Sequence, residues 1–194
     1  MYLTKYKIKV DVGNRNALND ILDGHQLHRS IQSMAHASRE DSKILFLRNF
    51  NSQNPFESYV YVYSEYKLDC NHEHFDEIFS RPQQTEYING TCLSFMVECN
   101  PVTEIAGKRR FIKAPEKRRE WLNRHADRGG FRLLSCEEIA SGGVYVKRGS
   151  QSFSFPCVRF SGYLEVTDTD KFQEVLRNGI GKEKAYGMGM LLVV

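Results

Sequence analysis

The element order β-α-β-β-α-β is legible twice along the 194 residues of this chain, and the repetition predicts an α+β fold of two tandem ferredoxin-like (RRM-like) domains. Both halves begin with a strand pattern, over 2–10 and over 92–98, and each strand is followed by a helical pattern. Length agrees, since roughly 100–200 residues per domain admits one domain or two small ones. A hydrophobic content of 41% with 26% charged residues excludes disorder by composition. No apolar run approaches the roughly 18 residues of a membrane-spanning helix.

In the first half, residues 2–10 alternate polar and apolar side chains, which suits a strand and not the continuous apolar core of a signal peptide. Asp23-Gly24 supplies a helix N-cap, and Leu27, Ile31, Met34 and Ala35 follow at helical spacing. Strands are expected over 43–50 and 59–63 with a turn at 51–55 between them. A short helix over 71–79, stopped by Arg81-Pro82, and a weak strand between Thr85 and Asn89 complete the first domain, 1–85.

The second domain, 90–194, opens with the strand over 92–98, which ends at Asn100-Pro101. Pro115 at a first helical position, Glu116 in the first turn and Gly129-Gly130 beyond the last place a helix over 115–128. A short strand over 131–134 precedes two more, over 144–147 and 153–166, which meet at Arg148-Gly149-Ser150. A helix over 168–178 and a strand over 185–194 close the chain. The five cysteines are odd in number and contain no Cys-x-x-Cys pair, which argues against a disulfide framework or zinc ribbon and for a reduced, cytoplasmic protein.

Net charge is only +3, but it is unevenly spread. Between Glu104 and Arg132 stand ten basic and four acidic residues, so this segment carries +6 and the remainder −3. Such a block attracts phosphate and is a usual footprint of nucleic-acid binding. Lys108, Arg109, Arg110 and Lys113 precede the helix and are the best phosphate candidates. Some of Arg118, Arg119, Arg124 and Arg128 must instead serve intrahelical pairs such as Glu120–Arg124. Tyr59, Tyr61 and Tyr63 alternate along one strand, a spacing that suits base stacking but more commonly makes an ordinary half-buried strand face.

On a helical wheel, Leu27, Ile31 and Met34 form one face, while His25, His28, Gln32 and His36 cluster opposite with Arg29 at the edge. His25 and His28 are one turn apart, near enough to serve one phosphodiester; His36 is too far along the axis to join them. Imidazole exchanges protons near neutral pH. RNA cleavage by its own 2′-hydroxyl needs a base, an acid and a cation. Two histidines and an arginine supply these without metal or cofactor. Metal use by His25 and His28, or by His72 and His74, is the weaker alternative, because His72 and His74 at i, i+2 would point apart on a helix.

The glycine-rich end, 179–194, matches neither the dinucleotide nor the Walker pattern. Its glycines admit close backbone approach. With Lys182 and Lys184 beside them the approaching backbone could be RNA, although a turn packed within the protein is the plainer reading.

Several fragments in order resemble one family along the whole chain. They are Met1-Tyr-Leu-Thr-Lys, His25-Gln-Leu-His-Arg29, Cys99-Asn-Pro101, Trp121-Leu122 with Gly130-Phe-Arg-Leu-Leu134, and Phe160-Ser-Gly-Tyr-Leu-Glu-Val166. The most specific is Gly179-Ile-Gly-Lys-Glu-Lys-Ala-Tyr-Gly-Met-Gly-Met-Leu-Leu192. The chain resembles the CasE family, the repeat-processing endoribonucleases of the Cascade complex in type I-E CRISPR systems. The resemblance implies metal-independent cutting of CRISPR repeat RNA at the base of its hairpin, leaving a 2′,3′-cyclic phosphate and a 5′-hydroxyl. It also implies retention of the mature guide RNA (crRNA) as a Cascade subunit alongside other Cascade subunits, with no membrane involved. The family histidine falls on His28 and the arginine after it on Arg29. The family tyrosine three residues earlier is His25 here, and a lysine common after the Asn-Pro motif is Thr103. Lys147 and Arg148 resemble the basic hairpin that enters the RNA groove. The departure at His25 motivates a second reading, an RNA-hairpin-binding subunit with weak or no catalysis.

Overall fold

The computed structural model describes residues 1–10, 13, 15–35, 39–50 and 53–194, apart from the side chains of 20, 39, 40 and 55. His36 and part of the turn expected at 51–55 lie outside the described residues. The chain divides into two compact units. The first comprises Met1–Gln84, Val144–Ser154 and Lys184–Gly187; the second comprises Thr85–Gly143, Phe155–Glu183 and Met188–Val194.

The first unit contains β1 (Tyr2–Ile8), α1 (Arg15–Leu22), α2 (Gly24–Ser33), α3 (Arg39–Ser42), β2 (Leu45–Asn49), β3 (Tyr59–Ser64) and β4 (Phe75–Pro82). Its strands form an antiparallel sheet in the order β2-β3-β1-β4, the order of a ferredoxin-like fold. Leu27, Ile31 and Met34 enter the core with Tyr6, Ile8, Phe46, Val60 and Val62, as their spacing requires.

Residues 71–79 do not form the expected helix. Phe75–Pro82 is an edge strand paired with β1, Phe75 opposite Ile8 and Pro82 opposite Tyr2. A helix there would leave the outer backbone groups of β1 without partners, and the ladder supplies them. Pro82 is tolerated because it ends an edge strand. The weak strand expected between Thr85 and Asn89 is also absent. Instead Tyr87 is buried edge-on against Phe172, with ring centroids 5.6 Å apart. Helix α1 lies outside the expected order of elements, and α2 ends at Ser33, with Met34 as its C-cap.

The second unit's sheet has the same permuted order, β10-β5-β9-β8. It is built from β5 (Cys92–Cys99), β8 (Phe131–Arg148), β9 (Gln151–Val166) and β10 (Leu192–Val193). The tip of the β8–β9 hairpin, Val144–Ser154, groups with the first unit. Strand β8 runs unbroken for 18 residues where two short pieces were expected. Helix α4 (Pro115–Arg128) has the expected bounds, and α5 (Thr169–Asn178) starts one residue after its cap, Asp168. Between β5 and α4 lies a small hairpin, β6 (Val102–Ile105) with β7 (Lys108–Phe111), turning through Ala106 and Gly107, both at positive φ. The strand expected over 185–194 shrinks to Leu192–Val193, because the preceding residues form a 3-10 turn, Lys184–Tyr186, and a glycine-rich run.

None of the five cysteines, all of them among the described residues, forms a disulfide. No helix among the described residues is long and apolar enough to cross a membrane.

Candidate nucleic-acid interface

Asp23 is an extended residue whose carboxylate accepts from His25 N at 2.8 Å, capping α2 as its sequence position predicts. The same carboxylate also accepts from Lys147 N, at 3.2 Å to Oδ1 and 3.3 Å to Oδ2. One buried side chain therefore ties the start of the histidine helix to the hairpin tip. Gly24 extends this close fit, since a Cβ there would sit 3.0 Å from Val144 Cγ1 and 3.5 Å from Tyr186 Cβ. Helix, hairpin tip and 3-10 turn thus converge inside the first unit.

The apolar face of α2 is committed to the core, so the opposite face presents the expected groups. His25 and His28 are half-buried and Arg29 is exposed. The His28 ring lies nearly parallel to Phe46 of β2, with centroids 6.3 Å apart and an interplanar angle of 18°. Phe46 also fills the space a side chain at Gly187 would need. The Phe46 ring is thereby held by the core below and lies beneath the His28 imidazole. On the hairpin, Val144 and Val146 are buried while Lys147 and Arg148 are exposed, so anchoring the Lys147 backbone aims two cationic side chains outward. Lys184 is half-buried in the turn, and Tyr186 meets Phe153 of the hairpin edge-on at 6.0 Å.

The glycines at the C-terminal end serve the chain's own packing. A Cβ at Gly189, where φ is +81°, would drive into the carbonyl of Ile180, and one at Gly181 would meet the Trp121 ring. The plainer reading of these glycines therefore holds. Lys182 is exposed and groups with the second unit, Lys184 with the first.

The basic run resolves into two kinds of residue. Lys108, Arg109 and Arg110 lie on β7, and Lys113 follows it; all four are exposed. Lys108 and Arg110 share one face of the small hairpin, and Arg109 stands opposite Glu104. Arg118, by contrast, is buried. Its Nε and Nη2 donate to Glu138 at 2.9 and 2.6 Å, and its Nη1 donates to the carbonyls of Ile112 and Lys113. Its guanidinium also lies 5.7 Å from the Phe111 ring centroid. Arg132 pairs with Glu165 at 2.7 Å. Glu120 pairs with Lys117 at 3.0 Å and not with Arg124 as expected. Arg119, Arg124 and Arg128 are exposed.

Burial pushes the Cys70, Cys99 and Cys136 thiols up, towards the neutral form. Residues 71–74 are not helical, so His72 and His74 do not point apart as expected. Their rings meet edge-on at 5.2 Å, and buried His74 lies 3.1 Å from Glu73 Oε1. Among the described residues no three His, Cys, Asp or Glu side chains gather as metal ligands. Asp23, Phe46 and Tyr186 are the supporting residues that sequence reasoning missed. Only Asp23 carried a signal, as a cap.

Comparison with known proteins agrees along the full length. The family model described as CRISPR associated protein matches residues 1–194. The CRISPR-associated endoribonuclease Cse3 of Thermus thermophilus is 27% identical over 211 residues, spanning 100% of this chain and 99% of that protein. A solved structure of the CRISPR endoribonuclease Cse3 bound to a 19-nucleotide RNA matches with a TM-score of 0.89 at 26% identity, covering 100% of both chains. Thermus thermophilus Cse3 bound to an RNA representing a pre-cleavage complex matches with a TM-score of 0.86 at 26% identity, over 100% of this chain and 98% of that one.

Proposed function

This chain belongs to the CRISPR associated protein family, and from that premise we propose that it is a metal-independent endoribonuclease that cuts CRISPR repeat RNA at the base of its hairpin. It then keeps the mature guide RNA and joins other Cascade subunits, in the cytoplasm where the transcript is made. The observation that carries this reading is the imidazole face of α2, fixed against a basic hairpin tip by the Asp23 carboxylate. The RNA-bound relatives support it.

The chemistry needs no water. A base removes the proton of the 2′-hydroxyl, whose oxygen attacks the adjacent phosphorus. The P–O5′ bond breaks and an acid protonates the departing O5′. The products are a 2′,3′-cyclic phosphate and a 5′-hydroxyl, with one proton accepted and one donated. His28 and His25 divide these proton transfers. Arg29 faces the charge that develops on the crowded phosphate, where a fixed cation stabilises the transition state most. Because one imidazole must begin neutral and the other protonated, the rate passes through a maximum as pH is varied. Lys147 and Arg148 meet backbone phosphates of the hairpin, and Lys108, Arg109, Arg110, Lys113, Lys182 and Lys184 supply further phosphate contacts. Shape and phosphate contacts dominate, since side chains read the deep A-form major groove poorly.

The test is incubation of the full chain with a repeat hairpin in EDTA. Cutting of the ribose form, and none of a hairpin carrying a 2′-deoxy sugar at the scissile position, is the expected result. Cutting of the deoxy form would sink the mechanism. A second reading, an RNA-binding subunit without catalysis, draws on His25 standing where the resemblance places a tyrosine. Tight hairpin binding with RNA of unchanged length, in wild type and in His28→Ala alike, would select it.

A further inference from the structure

The sheet of the first unit has two faces. One carries Tyr6, Ile8, Phe46, Val60 and Val62 and is packed by α2. On the other, strand register places Lys5 between Tyr61 and Phe79, Lys7 opposite Tyr59, and Arg81 opposite Leu3. One end of this second face is closed, since Leu3, Leu45, Leu47 and Tyr63 are buried. The other end is open: Lys5, Lys7, Tyr59, Tyr61 and Phe79 are half-buried and Arg81 is exposed.

The cations there are held by aromatic rings. Lys5 Nζ sits 4.3 Å from the Tyr59 ring centroid and 5.4 Å from that of Tyr61, and the Arg81 guanidinium sits 5.4 Å from Phe79. A carboxylate partner would neutralise these charges. An aromatic ring only positions them, through its quadrupole, and leaves the full positive charge available. The acid opposite Lys7 is Asp76, which is taken by Lys9 at 2.8 Å. Cations held at fixed points beside aromatic rings match a single-stranded nucleic acid, whose phosphates and bases demand both.

We propose that this open face is a second RNA contact, taking unpaired nucleotides on the 5′ side of the hairpin. Phosphates meet Lys5, Lys7 and Arg81, and bases stack on Tyr59, Tyr61 and Phe79. The inference rests on the repeat-cutting function above. The 5′ side is chosen on the premise that the cut falls at the 3′ base of the hairpin, which leaves the hairpin attached to the RNA that precedes it.

Fluorescence anisotropy of the full chain tests this, with a repeat hairpin that the protein cuts and the same hairpin carrying about eight unpaired 5′ nucleotides. Wild type binds the extended RNA about thirtyfold more tightly than the bare hairpin, the low end of what stacking on two rings gives. Tyr59→Ala with Tyr61→Ala, and separately Lys5→Gln with Lys7→Gln, abolish that gain while cutting of the bare hairpin is unchanged. The tyrosine pair borders the core, so its melting is recorded; if that variant fails to fold, the lysine pair decides alone. Absence of the gain in wild type assigns the face to another occupant, such as an acidic protein segment, and overturns the inference. Retention of the gain in either folded double variant does the same. Failure of wild type to bind or cut any repeat hairpin would instead remove the function on which the inference stands.

Discussion

Around α2, groups as far apart as Asp23 and Lys147, separated by 124 positions, are joined by part-buried hydrogen bonds, whereas β7 and α4 draw their cations from one continuous stretch of the other unit. The first region has few charges, and two of its groups rest on something beneath them: Asp23 joins the helix end to the hairpin, and Phe46 lies under His28. The second has many charges, and its best-anchored cation, Arg118, is turned inward to hold Glu138 and the chain entering α4. A dense run of positive residues therefore marks a phosphate-attracting surface, but does not say which of its members face the phosphate. A sparse, well-supported cluster is where proton transfer can be controlled.

The contrast is broken most strongly at His28. His28→Ala is expected to lower the single-turnover cutting rate by about 10²–10⁴-fold, the usual contribution of a positioned acid or base, with hairpin affinity at the wild-type level. His25→Ala slows cutting to a smaller extent and likewise spares affinity. Wild-type cutting by His28→Ala would move the chemistry away from α2 altogether.

Arg118 tests the opposite half. Arg118→Ala leaves Glu138 without its cation and two backbone carbonyls without their donor, a change expected to cost about 1–3 kcal/mol of stability. Arg119→Ala, one position on and exposed, is expected to leave the melting temperature unchanged. Equal melting temperatures for the two variants would show that burial does not separate structural from surface arginines in this helix.

Much of this architecture is legible in the chain itself. Pro115 and Gly129-Gly130 bracket α4, and Asp23 marks the start of α2, because caps and breakers are local signals. The histidine face is equally local, since helical spacing alone gathers His25 and His28 opposite Leu27 and Ile31. Strand β4 is not local. Phe75, Ile78 and Phe79 satisfy helical spacing, and only the unpaired edge of β1 selects the strand. The β6–β7 hairpin escapes notice because its strands are short and carry few apolar residues, so Ala106-Gly107 reads as one more turn. The second role of Asp23 is invisible for a related reason. Its partner is the backbone amide of Lys147, and an amide carries no residue-type signature.

Asp23→Ala is expected to cost about 1 kcal/mol through loss of the cap, and to slow cutting about tenfold because the hairpin tip loses its register against α2. Asp23→Asn keeps an oxygen acceptor and should recover most of the stability. A merely structural role would leave the cutting rate of folded Asp23→Ala at the wild-type value, and that result would detach the hairpin from the chemistry.

The smallest effects are expected, one residue at a time, on β7. Lys108, Arg109 and Arg110 are exposed on a two-stranded hairpin, so replacing all three with glutamine should leave the melting temperature unchanged. Each is expected to cost only a few-fold in hairpin affinity at moderate salt, yet the salt dependence should report them clearly. Each phosphate that is no longer neutralised flattens the plot of log affinity against log salt by about 0.7–0.9, so the triple variant should lose about two to three units of slope. The loss is graded because Arg109 stands across the hairpin from Glu104, and a cation beside a carboxylate neutralises less phosphate charge and so displaces fewer counterions. Arg109→Gln alone is therefore expected to change the slope least of the three. A slope identical to wild type in the triple variant would mean that β7 attracts RNA without touching it, leaving the hairpin tip at Lys147 and Arg148 as the surface that does.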